Sequence, residues 1–246
     1  MDSSSIAGLL LGIAAVVVGQ YLEGGHLAML VNGPALLIVV GGTLGATMVQ
    51  SPTHVFLRAL RMSSWIFRPP AVPLELAMKE LLHWCRVARR DGLLGLEALV
   101  ESVRNPYARK ALQLLIDGNE PPVIRETLQI DSAVREQRDL LAAKVFDGMG
   151  GYAPTLGILG AVIGLIQVMN NLSDPSMLGQ GIGVAFVATV YGVGLANLVF
   201  LPIGVKLRTL VREETRLEEL IAIGITAIAD GENPRVVESR LQGLLK

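Results

Sequence analysis

The chain has 246 residues but a single cysteine, Cys85, and only three histidines, His26, His54 and His83, which lie far apart. One thiol cannot build an intrachain disulfide framework, and no His or Cys falls at metal-ligand spacing. Aromatic residues are 4% of the composition, too few for a platform on which nucleic-acid bases would stack. There is no Walker A loop, nucleophile elbow or zincin motif, and the glycine-rich stretch Gly179-Gln180-Gly181-Ile182-Gly183 opens an apolar run rather than following a strand. The expectation is therefore a non-enzyme with no metal, no cofactor and no nucleic-acid partner.

The most informative scarcity is of positive charge. All 21 Lys and Arg residues fall within residues 58–144 or 206–246. Residues 147–205 contain no Lys, Arg or His, and their only formal charges are Asp147 and Asp174. Two apolar runs, residues 148–169 and 179–205, flank a short polar break at 170–175. At 1.5 Å rise per residue, about 20 apolar residues cross a hydrocarbon core of about 30 Å. This pair reads as a transmembrane helical hairpin whose tip lies in the break. Two further apolar runs, residues 6–21 and 27–49, give four spans. The segment Met1-Asp2-Ser3-Ser4-Ser5 has no basic residue, so the first run reads as a retained helix rather than a cleaved signal peptide.

The predicted class is an all-α integral membrane protein with four transmembrane helices. A helical cytoplasmic domain lies between spans 2 and 3, and a cytoplasmic tail follows span 4. Lys and Arg collect on the cytoplasmic side of a membrane. That bias places both basic segments, and with an even number of spans both termini, in the cytoplasm. The expected organisation is spans 1 and 2 in residues 1–50, a cytoplasmic helical domain in 51–145, the hairpin in 146–205 and a cytoplasmic helical tail in 206–246.

Within the large basic segment, 14 basic residues face 11 acidic ones, a mixed surface suited to a specific charged partner rather than a polybasic lipid patch. Pro69, Pro70 and Pro73 end the exit from the second span. Asp91-Gly92 breaks a helix, which resumes over 93–103. Asn105-Pro106 starts another, and Asp117-Gly118 stops it. A long charged helix from 123 to 144 runs on into the third span. Residues 206–229 continue the fourth span, and Asp230-Gly231 stops it before Asn233-Pro234 caps a last short helix.

The hairpin is more than a lipid anchor. Gly160 and Gly164 form a GxxxG pair, and small residues let helix backbones approach closely. Pro154, Thr155, Gln167, Thr189, Tyr191, Asn197 and Pro202 face protein or water rather than lipid. Helix packing and an ion path both account for them. No ionisable residue lies near the centre of any span, although ion-coupled machines place one at depth. If the chain conducts ions, another chain supplies the carboxylate and this one the polar wall.

Four features in order resemble the MotA-type flagellar stator proteins over essentially the whole length. They are the two-span, cytoplasmic domain, two-span, tail topology; Arg89-Arg90-Asp91-Gly92-Leu93-Leu94-Gly95-Leu96-Glu97, which resembles the family's R-x-x-G-x-x-x-L-E pattern; the hairpin segments Ala153-Pro154-Thr155-Leu156-Gly157, Gly160-Ala161-Val162-Ile163-Gly164 and Ala188-Thr189-Val190-Tyr191-Gly192 with Pro202; and Asp230-Gly231-Glu232-Asn233-Pro234. The resemblance implies a multi-pass protein of the bacterial inner membrane, a homo-oligomer of five copies. These would surround a MotB-type partner that brings one membrane helix with the ion-accepting Asp and a peptidoglycan-binding domain. It further implies that Arg89, Arg90 and Glu97 meet the rotor protein FliG, and that Pro154 and Pro202 are hinges at the membrane edges. Sodium-driven relatives carry Thr where this chain has Ala161, while Thr189 keeps the second Thr. One hard oxygen ligand is thus missing, and proton coupling is the expectation. The competing readings are an ExbB/TolQ-like energiser of envelope transport, expected to have three spans, and an autonomous small channel or transporter.

Overall fold

The computed structural model describes residues 3–170 and 175–245. The polar break at the predicted hairpin tip, apart from Asn170 and Pro175, lies outside them. Among the described residues every regular element is helical. Four stretches are long and apolar enough to cross a membrane: Ser4–Leu22, Leu27–Gln50, and windows within Pro121–Asn170 and Gly181–Ala229. The chain is thus an all-helical, four-span membrane protein.

The chain divides into two compact units, residues 1–69 with 139–209 and residues 70–138 with 210–246. In the first unit, α1 spans Ser3–Leu22 and is followed by a 3₁₀ turn, Leu27–Leu30. The apolar run beginning at residue 27 is therefore not one helix. Its regular part starts at α2 (Gly33–Leu36), where the Asn32 side chain accepts a hydrogen bond from the Ala35 N–H and Pro34 sits in the first turn. The same helix passes through a π-helical turn, Leu37–Gly41, into α3 (Gly42–Gln50). Pro52 interrupts it, and α4 (Thr53–Met62) buries Phe56, Ala59 and Met62 on one face. A separate amphipathic helix thus precedes the prolines at 69, 70 and 73, where the sequence reads only as an exit from the span. The Arg58 guanidinium on α4 grips both carboxylate oxygens of Asp139, whose side chain is only 3% exposed.

The second unit contains α5 (Leu74–Asp91), the 3₁₀ turn Leu93–Leu96, α6 (Glu97–Val100) and α7 (Pro106–Ile116). Gly92 ends α5 at φ +74°, a conformation closed to most L-residues. The helix resumes as expected but ends at Val100, three residues before 103. Asn105 caps α7, accepting from Tyr107 N (2.9 Å) and Ala108 N (3.1 Å). The long helix α8 is unbroken from Pro121 to Asn170 and carries Pro154 in its interior. After α9 (Pro175–Leu195) a second π-helical turn, Ala196–Phe200, leads into α10 (Leu201–Ala229). Gly231, at φ +69°, stops α10, and Asn233 Oδ1 accepts from Arg235 N at the start of α11 (Pro234–Leu245).

The core of the second unit is built from large aliphatic side chains. Leu81, Leu112, Leu128, Leu220 and Ile225 have at most 1% of their surface exposed and belong to one cluster. Trp84 and Cys85 join it, and burial pushes the Cys85 thiol above the ordinary thiol range. Tyr107 is buried in the same cluster and donates its hydroxyl to Leu128 O, and desolvation raises its pKa.

Candidate functional site

The site in the first unit is the contact between the apolar part of α8 and α9. On α8, Gly157, Gly160 and Gly164 recur on one helical face, and each is buried. A methyl group built on Gly157 would lie 2.9 Å from Ala188 O and 3.3 Å from the Cα atoms of Thr189 and Gly192. At Gly164 it would meet Gly181 O at 2.8 Å and Ala185 N at 2.9 Å. From the other side, Gly192 would meet Ala153 O at 2.5 Å and Pro154 Cα at 3.1 Å. Backbone thus lies directly on backbone along about three turns. The glycines read from sequence as a close-packing pair are an extended seam on both helices.

The seam brings two of the predicted residues together. Pro154 lies against Gly192, and the Thr189 backbone lies against Gly157. Pro154 has no N–H to continue the helix ladder, yet α8 continues as helix past it with α9 packed alongside. Thr189 is half-buried and donates to its own helix at Ala185 O (3.3 Å). Ala161 is half-buried on α8 between Gly160 and Gly164. Pro202 is elsewhere, exposed in the first turn of α10, where the π-helical turn closes Leu201 N–H on Ala196 O just before the missing donor. The Asn197 amide donates back to Val193 O (2.9 Å) in the same stretch.

Sequence reasoning missed how α9 is fastened to the second span. The Tyr191 hydroxyl accepts from Asn32 N (3.1 Å) and donates to Leu30 O. It thereby satisfies two backbone groups at the break between the 3₁₀ turn and α2, which in a membrane have no water to turn to. Ala35, Val39, Val184, Val187 and Ala188 form the apolar cluster beside it. The only sequence signal was a lone Tyr within an apolar run. Thr43 and Thr47 are buried and return their hydroxyls to Val39 O and Thr43 O, at 2.6 Å each. Asp147 pairs with Arg208 within the same unit.

The second candidate group is in the other unit. Arg89 and Arg90 occupy the last turn of α5, and Glu97 opens α6. All three are exposed, with Gly92 and the 3₁₀ turn between them. Arg90 pairs with its neighbour Asp91 (2.7 Å), which lowers the Asp91 pKa and raises that of Arg90. Arg89 and Glu97 form no ion pair among the described residues, and both charges face solvent.

Fold and site together define a helical membrane protein with a glycine-seamed helix pair and an exposed charged turn. Residues 6–90 match the model of the motility protein A N-terminal family, and residues 99–219 that of the MotA/TolQ/ExbB proton channel family. Motility protein A of Bacillus subtilis is 33% identical over 98% of this chain and 90% of its own length. Chemotaxis protein PomA of Vibrio alginolyticus is 34% identical over 100% and 96%. The solved structure of C. jejuni MotAB superposes with a TM-score of 0.95 at 31% identity, covering 100% of this chain and 96% of that one. The flagellar MotAB stator complex of Bacillus subtilis superposes at 0.90 and 32% identity. The chain belongs to the motility protein A family, within the MotA/TolQ/ExbB proton channel family.

Proposed function

We infer that the chain is a stator subunit of the bacterial flagellar motor, one component of a complex that converts ion flow into torque on the rotor. The observation that carries this is whole-chain agreement with two MotAB complexes, spans and intervening helical unit alike. The match of residues 6–90 to a motility-specific model favours this reading over an ExbB/TolQ-like energiser. It is not an enzyme. The complex sits in the inner membrane with both termini in the cytoplasm, as the placement of Lys and Arg implies.

The ion path is shared with a MotB-type, peptidoglycan-binding partner. The spans here carry no central carboxylate, so the partner's single membrane helix supplies the ion-accepting Asp. Five copies of this chain surround it. The α8–α9 seam presents Ala161 and Thr189 to the path, and Pro154 and Pro202 are the hinge positions. One charge falling through 100 mV releases about 2.3 kcal/mol, enough to bias a two-state arrangement of subunits by tens of fold. Proton is the ion. An Ala161 methyl in place of a hydroxyl leaves sodium short of a ligand for its shed water. Arg89, Arg90 and Glu97 push on FliG, with Arg89 and Glu97 the more available charges because Arg90 is already paired with Asp91.

Deleting the gene and any paralogue is expected to leave cells with filaments that do not rotate. Normal swimming in that strain overturns the reading. Swimming of the parent in sodium-free medium tests the ion, and a strict sodium requirement reverses the assignment. Arg89→Glu is expected to slow rotation severely while the complex still assembles. Compensation by an opposite charge change on the rotor identifies the contact.

A further inference from the structure

We infer that the first unit carries a site for an anionic phospholipid, set between the start of α1 and the π-helical turn and first turn of α10. A hollow of about 340 Å³ lies there. Its walls are mostly apolar: Gly8 and Leu9 on α1, Phe67 after the 3₁₀ turn Ser63–Ile66, and Leu198, Pro202 and Ile203, with one amide among them, Asn197, which already donates to Val193 O. At one end stand Ser5 and Lys206, with the Lys206 ammonium donating to Ser5 Oγ. Lys206 is the first cation after 61 residues without Lys or Arg, so it marks where the apolar run of the fourth span meets the headgroup zone. A wall of hydrocarbon with a cation and a hydroxyl at one end is complementary to an acyl chain below a phosphate. Neither an inorganic anion nor a soluble polar ligand matches the apolar part.

Two local features make the hollow. The π-helical turn widens the fourth span at Ala196–Phe200, and Pro202 follows without an N–H. On the opposite wall Gly8 has no side chain, and a methyl group built on it meets nothing within 4 Å. A bulky residue in either place fills the space. The leaflet rests on the orientation proposed above. With the N-terminus cytoplasmic, the site faces the inner leaflet, whose lipids are the anionic ones. The binding itself does not depend on orientation.

Trp65 immediately precedes Ile66 and Phe67, which line the hollow, and Trp84 is buried in the other unit, so Trp84→Phe leaves one fluorophore near it. The full chain with that change is reconstituted in vesicles of uniform leaflet composition, with acyl-brominated phosphatidylglycerol or phosphatidylcholine as quencher. Phosphatidylglycerol is expected to associate about fivefold more strongly, the scale of one cation near a membrane surface. Lys206→Gln abolishes the preference and Lys206→Arg retains it. Gly8→Phe reduces quenching by both lipids. Gly19→Phe, on the same helix and also in open space, changes neither. Equal quenching by the two lipids in the parent overturns the site. So does a preference that survives Lys206→Gln or Gly8→Phe, or one that millimolar inorganic phosphate removes. Quenching in the parent no greater than in Gly8→Phe also overturns it, because a second copy of the chain then fills the space. A reporter at the N-terminus tests the orientation separately: a periplasmic signal reverses the leaflet and leaves the binding result standing.

Discussion

The two units of this chain solve the same problem, helix against helix, with opposite side chains. In the unit of residues 70–138 and 210–246, Leu81, Leu112, Leu220 and Ile225 fill the space between helices. In the unit of residues 1–69 and 139–209, the contact between α8 and α9 has almost no side chain in it. The difference follows from the solvent. In water, burying a Leu gains about 1.5–3 kcal/mol, so large side chains drive the association. In lipid the surroundings are as apolar as Leu. What remains is close packing and backbone hydrogen bonding, and both reward the smallest residues. Leu11 and Ile158, exposed in the single chain at 73% and 58%, belong to this logic, because lipid or neighbouring spans rather than water surround a transmembrane helix.

The comparison breaks most visibly at Gly192. Gly192→Leu places atoms where Ala153 O already stands, so the helix pair is expected not to form and motility to be lost. Gly243→Leu, at a glycine of the other unit with open space around it, is expected to leave swimming unchanged. Swarm diameter and recovery of assembled complex measure both. Next in size is the Arg58–Asp139 pair. Asp139→Ala removes the carboxylate beneath a guanidinium only 29% exposed and is expected to cost about 3–5 kcal/mol. The double change Arg58→Leu with Asp139→Leu is expected to recover most of the loss, as read by thermal unfolding of the full chain in detergent. Failure to recover means the pair does more than satisfy itself.

Leu220→Ala in the aliphatic core is expected to cost about 2–5 kcal/mol, whereas Leu11→Ala on the lipid face is expected to shift the melting temperature little. Similar losses at the two positions remove the solvent argument. The smallest effect concerns Cys85. Burial raises its pKa in the folded chain, so the neutral thiol is favoured there. The resulting stability is full below the ordinary thiol range and is lost as pH rises through the raised folded value. Cys85→Ala is expected to flatten the alkaline edge of the stability profile, and maleimide is expected to label Cys85 slowly until the unit unfolds.

Much of the fold is written locally. Gly92 and Gly231 stop helices because each adopts positive φ, and Asn105 starts one through its own side chain, so short stretches announce them. The spans are legible because hydrocarbon thickness fixes their length. The two π-helical turns are not legible, since the sequence around Leu37 and Ala196 reads as uninterrupted apolar helix. Nor is the Arg58–Asp139 pair, whose partners stand 81 residues apart, or the Tyr191 bridge to Asn32, 159 apart. Of the candidate residues, Pro154 and Thr189 announced themselves as polar or helix-breaking groups in an apolar run. Their shared place along the seam became visible only when Gly157 and Gly192 were seen facing one another.

The glycine seam has a mechanical consequence. Side chains at an interface ordinarily act as springs, because rotamers can flip to absorb a small push. Where main chain rests on main chain there is no such cushion. A nudge applied to α8 anywhere along those turns must be passed to α9 almost undiminished, and beyond the proposed hinge at Pro154 the two helices behave as a single stiff strut.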